Sequence, residues 1–135
     1  MEIQVKIEGN IQKRIDSAVK NMPVNVKIAV SRATSFMQRK IADASKNEVG
    51  IRTGGLSDSW HARVSGFKGV VYSSKYYALY VHEGTRAHDI PNAWGRGFTA
   101  KHPGTKANPF ARRAMERHQK DINDIFLEEI NKAIK

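Results

Sequence analysis

The chain has no cysteine. A disulfide framework, a thiolate metal site and a cysteine nucleophile are therefore closed to it, and its fold cannot depend on an oxidising compartment. It also lacks any apolar run near the ~18 residues of a membrane span. The N-terminus, Met-Glu-Ile-Gln-Val-Lys-Ile, alternates charged and apolar residues and has no signal-peptide core. The expectation is a soluble protein made in the cytoplasm. Carboxylates are few: 13 Asp and Glu stand against 23 Lys and Arg, a net charge of +10. Such a balance favours nucleic acid or acidic protein surfaces as surroundings, although charge alone locates no site. No internal repeat and no low-complexity segment is present. What remains is ordinary for a globular chain, with 40% hydrophobic and 27% charged residues. At 135 residues it suits one domain, 1–135, able to remove roughly two thirds of its unfolded surface from water.

The charge is unevenly spread. Between Gly84 and His118 seven cations (Arg86, Arg96, Lys101, Lys106, Arg112, Arg113, Arg117) face only Asp89 and Glu116, which is half of the net charge. The last turns, with Asp121, Asp124, Glu128 and Glu129, are slightly acidic.

Ile3, Val5 and Ile7 alternate with polar residues and predict a short strand that Gly9 ends, after which Asn10 can cap a helix. Ile11, Ile15, Ala18, Val19 and Met22 form one apolar helical stripe that stops near Pro23. From Val24 to about Asn47, Val26, Val30, Ala33, Met37, Ile41 and Ala44 alternate spacings of four and three, predicting a rod of roughly 36 Å at 1.5 Å per residue. It either lies across a sheet as a core helix or also packs on a neighbouring subunit. Thr53-Gly54-Gly55 breaks the pattern. Leu56 to Ser65 and Lys68 to Ser73, joined by Gly66-Phe67, then read as an antiparallel hairpin. Tyr76 to Glu83 predicts a helical turn. Residues 84–108 form a long basic connection rich in Gly and Pro, of a length that is uncommon unless the segment binds something or is ordered by a partner. Asn108 can cap a final helix with Pro109 at its first position. Along it Phe110, Ala114, His118, Ile122, Phe126, Ile130 and Ile134 recur at every fourth residue. Leu56, Trp60, Val71, Tyr77 and Phe110 are the expected core at the sheet side. Gly54, Gly84 and Gly104, each beside a Thr at a break, mark positive φ or close chain approach.

The chemistry-bearing residues do not assemble into a familiar catalytic pattern. His82, Glu83, His88, Asp89 and His102 lie in one region, yet their spacing fits no usual zinc site. Asp58, Ser59 and His61 contain hydrolase residue types without a G-x-S-x-G elbow. His102 is better placed to hydrogen-bond the turn at Pro103-Gly104. His82 with Glu83 or His118 leaves open a small ribonuclease-like toxin, and the charge leaves open a small basic nucleic-acid-binding protein.

Three elements occur in order: Thr53-Gly54-Gly55-Leu56-Ser57-Asp58-Ser59-Trp60, then Tyr77-Ala78-Leu79-Tyr80-Val81 with Gly84-Thr85, then His102-Pro103-Gly104-Thr105 with Pro109-Phe110 and Ala114. Together they resemble the small head-tail joining, or tail-component, family of long-tailed bacteriophages (siphophages). That family carries T-G-x-L-x-x-S-W, Y-A-x-x-V-E-x-G-T and H-P-G-T-x-x-x-P-F. Where it has Glu followed by an aromatic before Gly-Thr, this chain has His82-Glu83. The resemblance implies an α+β, tail-terminator-like domain: a small antiparallel sheet packed with two N-terminal helices and one long C-terminal helix. It implies a non-enzymatic virion structural protein at the neck or tail end, needing no cofactor. Such a protein would form a homo-oligomeric ring, a hexamer, between connector or stopper and the tail-terminator and tail-tube proteins, around the DNA channel. Tyr77, Tyr80, Glu83, Thr85, Trp94, Phe98, His102 and Phe110 are then the assembly candidates. Trp94 and Phe98 either pack locally or anchor to an adjacent subunit. Arg86, Arg96, Lys101, Lys106, Arg112 and Arg113 are the candidates to face DNA, screening phosphates without reading sequence.

Overall fold

The stripe Val26, Val30, Ala33, Met37, Ile41 and Ala44 is buried along a single helix, α2 (Pro23–Glu48). Proline at its first position costs no hydrogen bond, and no glycine interrupts the next 25 residues, so 26 residues run as a rod of about 39 Å. Its buried polar residues satisfy themselves locally: the Thr34 hydroxyl donates to the Val30 carbonyl at 2.6 Å and that of Ser45 to Ala42 at 2.7 Å. The computed structural model describes residues 1–5, 11–49, 55–92 and 95–134. The expected strand residues 6 and 7, Gly9, Asn10, Thr53, Gly54 and Trp94 lie outside them.

Around α2 the described chain runs β1 (Glu2–Gln4), α1 (Ile11–Asn21), α2, a 3₁₀ turn (Ser57–Ser59), β2 (Trp60–Ser65), β3 (Lys68–Ser73), α3 (Tyr77–Glu83), β4 (His88–Ile90), β5 (Ala100–His102), α4 (Phe110–Arg117) and α5 (Gln119–Ile134). This is an α+β fold of five helices with a three-stranded antiparallel sheet in the order β1-β3-β2. Val71 at the centre pairs with Ile3 on one side and Ala62 on the other. Because side chains alternate along a strand, Trp60 and Val71 share the face that packs on α2. The opposite face carries buried Val70 together with polar residues, Arg63 bridging to Glu2 at 3.0 Å and lying 5.4 Å over the Tyr72 ring. β3 crosses the helix where it has no side chain: a Cβ on Gly69 would fall 1.8 Å from Thr34 Oγ1.

Three expectations are revised. Leu56 to Ser59 is not strand, because the Ser59 N–H donates to the Leu56 carbonyl at 3.1 Å and closes a 3₁₀ turn, with the Ser59 hydroxyl donating to the same carbonyl at 2.6 Å. The final helix is not continuous, since α4 and α5 meet at His118, although Ile122 still donates to the His118 carbonyl at 3.1 Å. A spacing of four advances ~40° per step on a helix of 3.6 residues per turn, so Phe110 to Ile130 would drift by about 200° on a straight rod. The break keeps Phe110, Ala114, Ile122, Phe126 and Ile130 all buried. Finally, Pro109 rather than Asn108 is the N-cap of α4 and offers no side-chain bond.

α5 is tied to α2 by one buried carboxylate. Glu129 is 4% exposed and receives Arg32 Nη1 at 2.7 Å and Lys132 Nζ at 3.4 Å. Burial pushes its carboxyl up, but the hydrogen bonds and charges of Arg32 and Lys132 together outweigh it and hold the group below its ordinary 4.5. A depressed native pKa stabilises the fold above the ordinary value and loses that contribution as pH falls through the native one. We expect Arg32→Ala to lower unfolding free energy near neutrality by roughly 1–3 kcal/mol, because the buried carboxylate loses its best donor. The deficit should shrink as acid neutralises Glu129 below 4.5. Urea denaturation across pH checks this, and a deficit constant with pH would contradict it.

Candidate assembly interface

The segment from Gly84 to Asn108 leaves and returns to the body at one point, where two Gly-Thr dipeptides cross. Thr85 N–H donates to the Thr105 carbonyl at 2.9 Å, Thr105 N–H donates back to Thr85 at 3.1 Å, and the Thr85 hydroxyl also accepts from Thr105 N–H at 2.9 Å. The preceding glycines permit the approach. Gly84, with φ 79° and ψ 175°, occupies a region essentially limited to glycine, and a Cβ there would sit 2.6 Å from the Thr105 carbonyl oxygen. Gly104, with φ 90°, would meet the Thr85 carbonyl oxygen at the same 2.6 Å. Each dipeptide is the other's obstacle and partner.

Beyond this clasp the chain forms a two-stranded ribbon, β4–β5, with Asp89 opposite Lys101. Its return is shaped by Asn92, at φ 48°, whose side-chain oxygen accepts Gly97 N–H at 2.7 Å. The expected long connection is thus a projecting arm whose described residues between Pro91 and Thr99 are exposed. Isolated two-stranded ribbons are marginal in water without a surface to pack on.

Inside the clasp, His82 joins α3 to α4. It is 3% exposed, and its ring meets Phe110 edge-on at 5.4 Å. Nδ1 donates to the Glu83 carboxylate at 2.7 Å, while Nε2 accepts the Arg112 backbone N–H at 3.3 Å. That N–H belongs to the first turn of α4, whose donors have no intrahelical partner, so the imidazole supplies the acceptor that the N-cap does not. Asn108 is engaged elsewhere, donating to the Glu48 carbonyl at 3.0 Å and accepting from Arg113. Arg113 and Arg117 reach the Glu48 carboxylate at 3.3 and 3.4 Å, so the foot of the arm is fixed to the end of α2.

The assembly candidates separate into three groups. Tyr80 is exposed, and with Leu79 on α3 and Tyr76 at its N-cap it forms an outward apolar face. Tyr76 at 83% and Leu79 at 46% exposure were missed by the sequence reading, though the i, i+3, i+4 spacing from Tyr76 contains the signal. Thr85 forms the clasp, and Glu83 accepts from His82 and pairs with Arg112 beside it. Tyr77 is half-buried against the core, and Phe110 is fully buried against Trp60 at 5.8 Å, so Phe110 offers no surface to a partner. Phe98 is exposed on the arm, and His102 lies in β5 opposite His88.

The basic candidates also divide. Arg112 lies 3.6 Å from Glu83, and Arg113 is held by Glu48, so both are ion-paired within the chain. Arg86 is exposed at the arm's foot. Arg96, Lys101 and Lys106 are exposed, with no ion pair among the described residues. Clefts of about 390 Å³ beside α1 and 500 Å³ between α2 and α5 are lined by neither His82 nor the arm. Among the described residues no group of three or more His, Asp or Glu could hold a metal ion, and no helix is long and apolar enough to cross a membrane. No protein-family model, curated protein or solved structure matches the chain.

The clasp yields a direct expectation. Gly84→Ala and Gly104→Ala should each cost roughly 2–3 kcal/mol in urea denaturation, from positive-φ strain and a backbone clash. Gly66→Ala, also at positive φ but with nothing within 4 Å of the new Cβ, should cost about 1 kcal/mol. Equal costs at all three would remove the close approach as the cause.

Proposed function

We propose that this chain is a phage virion structural protein of the neck or tail end, with a tail-terminator-like fold, working as a ring between the connector side and the tail tube. The observation that carries the reading is the convergence of its motifs. Two of the three elements behind the resemblance meet in one structural unit, Gly84-Thr85 crossing Gly104-Thr105 with Phe110 beneath, and the Trp60 of the third packs on that same Phe110. The motifs therefore build a rigid foot under a projecting arm. A part of this kind serves placement of a surface rather than turnover of a substrate.

In the ring, Arg96, Lys101 and Lys106 on and beside the arm would line the lumen and screen passing DNA without reading its sequence. Arg112 and Arg113 are withdrawn from that role by their carboxylate partners. The ribonuclease-like reading gains no support from His82, whose two ring nitrogens are both engaged in a buried contact.

Deletion of the gene from its phage or prophage, followed by electron microscopy of the induced lysate, tests the reading. Filled heads lying apart from tails, or tails of irregular length, are expected. Intact infectious virions would overturn it.

A further inference from the structure

We propose that His88 and His102 together bind a divalent transition-metal ion of the zinc class, and that the ion ties the two strands of the arm to each other. In sequence the two histidines stand 14 residues apart, a separation that fits no usual zinc pattern. The ribbon removes that distance, because the register of β4 on β5 sets His88 directly opposite His102. Residues so opposed on antiparallel strands have Cβ atoms about 4.5–5.5 Å apart, a span across which two imidazoles can share one ion.

The choice of ion follows from what else the register provides. Ile90 and Ala100 share the face of the pair, whereas Asp89 and Lys101 take the position between, on the other face. The donors are therefore nitrogen without carboxylate. Such a set suits zinc, copper and nickel, and it gives magnesium and calcium none of the oxygen they seek. The other three of the five histidines lie elsewhere with partners of their own: His61 against the Tyr72 ring at 5.5 Å, His82 between Glu83 and Arg112, and His118 on Asp121 at 2.9 Å. Two protein ligands leave coordination positions to water, so the site exchanges its ion rather than keeping it as a permanent structural centre. Its effect falls where the fold is weakest. A two-stranded ribbon is marginal alone, and Pro91 and Pro103, which follow β4 and β5, have no N–H to extend the ladder. An ion that binds only the paired strands favours pairing by mass action, so the order of the arm becomes metal-dependent. This holds for the arm whether or not the chain works at the phage neck.

Amide hydrogen exchange on the full, untagged chain tests the site, with Zn²⁺ alone as the probe and Mg²⁺ as its control. At a zinc concentration ten times the dissociation constant, exchange of the β4 and β5 amides should slow about tenfold, with the mass in solution unchanged. His88→Ala and His102→Ala should each abolish the slowing, whereas His118→Ala, away from the arm, should retain it. Circular dichroism verifies that each variant folds, and His88→Gln and His102→Gln repeat the test with side chains nearer in size to the ring. Exchange indifferent to zinc, slowing that survives in either arm variant, equal slowing by Mg²⁺, or a zinc-induced rise in mass would overturn the proposal. The result is read on the purified protein, so it stands or falls independently of the gene-deletion outcome.

Discussion

Two peptide units that can approach only because glycine precedes each of them hold the base of the arm to the body of this molecule. Thr85 and Thr105 exchange backbone hydrogen bonds across a crossing that any side chain at Gly84 or Gly104 would obstruct. The arm between them has little packing of its own. Its position therefore depends on the foot, and the foot depends on contacts distant in sequence: His82 to Arg112, Asn108 to Glu48, Arg113 to Glu48. Backbone conformation, a buried imidazole and the end of the longest helix converge there.

The rod α2 serves both halves of the fold. Its apolar stripe carries the sheet and the C-terminal helices, its middle is held to α5 through Arg32 and Glu129, and its last residue anchors the arm. A chain of this size has little burial to spare, so one element shared by every layer is an economical solution.

Much of this was legible in the residues, for reasons that can be named. The α2 stripe repeats at helical spacing without a glycine, and β3 runs from Lys68 to Ser73 as expected because Gly66-Phe67 forms the turn before it. Gly84 and Gly104 were marked for positive φ by their place at breaks in pattern, and both adopt it. What escaped were contacts that no local pattern encodes. The acceptor for α4 comes from His82, far upstream, so the local cap signal at Asn108 pointed to the wrong atom. Leu56 to Ser59 closes as a 3₁₀ turn, with both the N–H and the hydroxyl of Ser59 on the Leu56 carbonyl. The four-residue stripe from Phe110 concealed the break at His118, because spacing alone does not show when a helix must turn to keep facing its partner. The β4 and β5 strands, three residues each, are too short for alternation to reveal.

The rigid foot and the exposed arm make a contrast that amide hydrogen exchange on the native protein reads residue by residue. The Thr85 and Thr105 amides should exchange as slowly as amides in the middle of α2, while Lys101 and the tip residues around Gly95 and Gly97 exchange orders of magnitude faster. If Thr85 and Thr105 instead exchange together with the arm, the crossing is no anchor, and the arm has no fixed base.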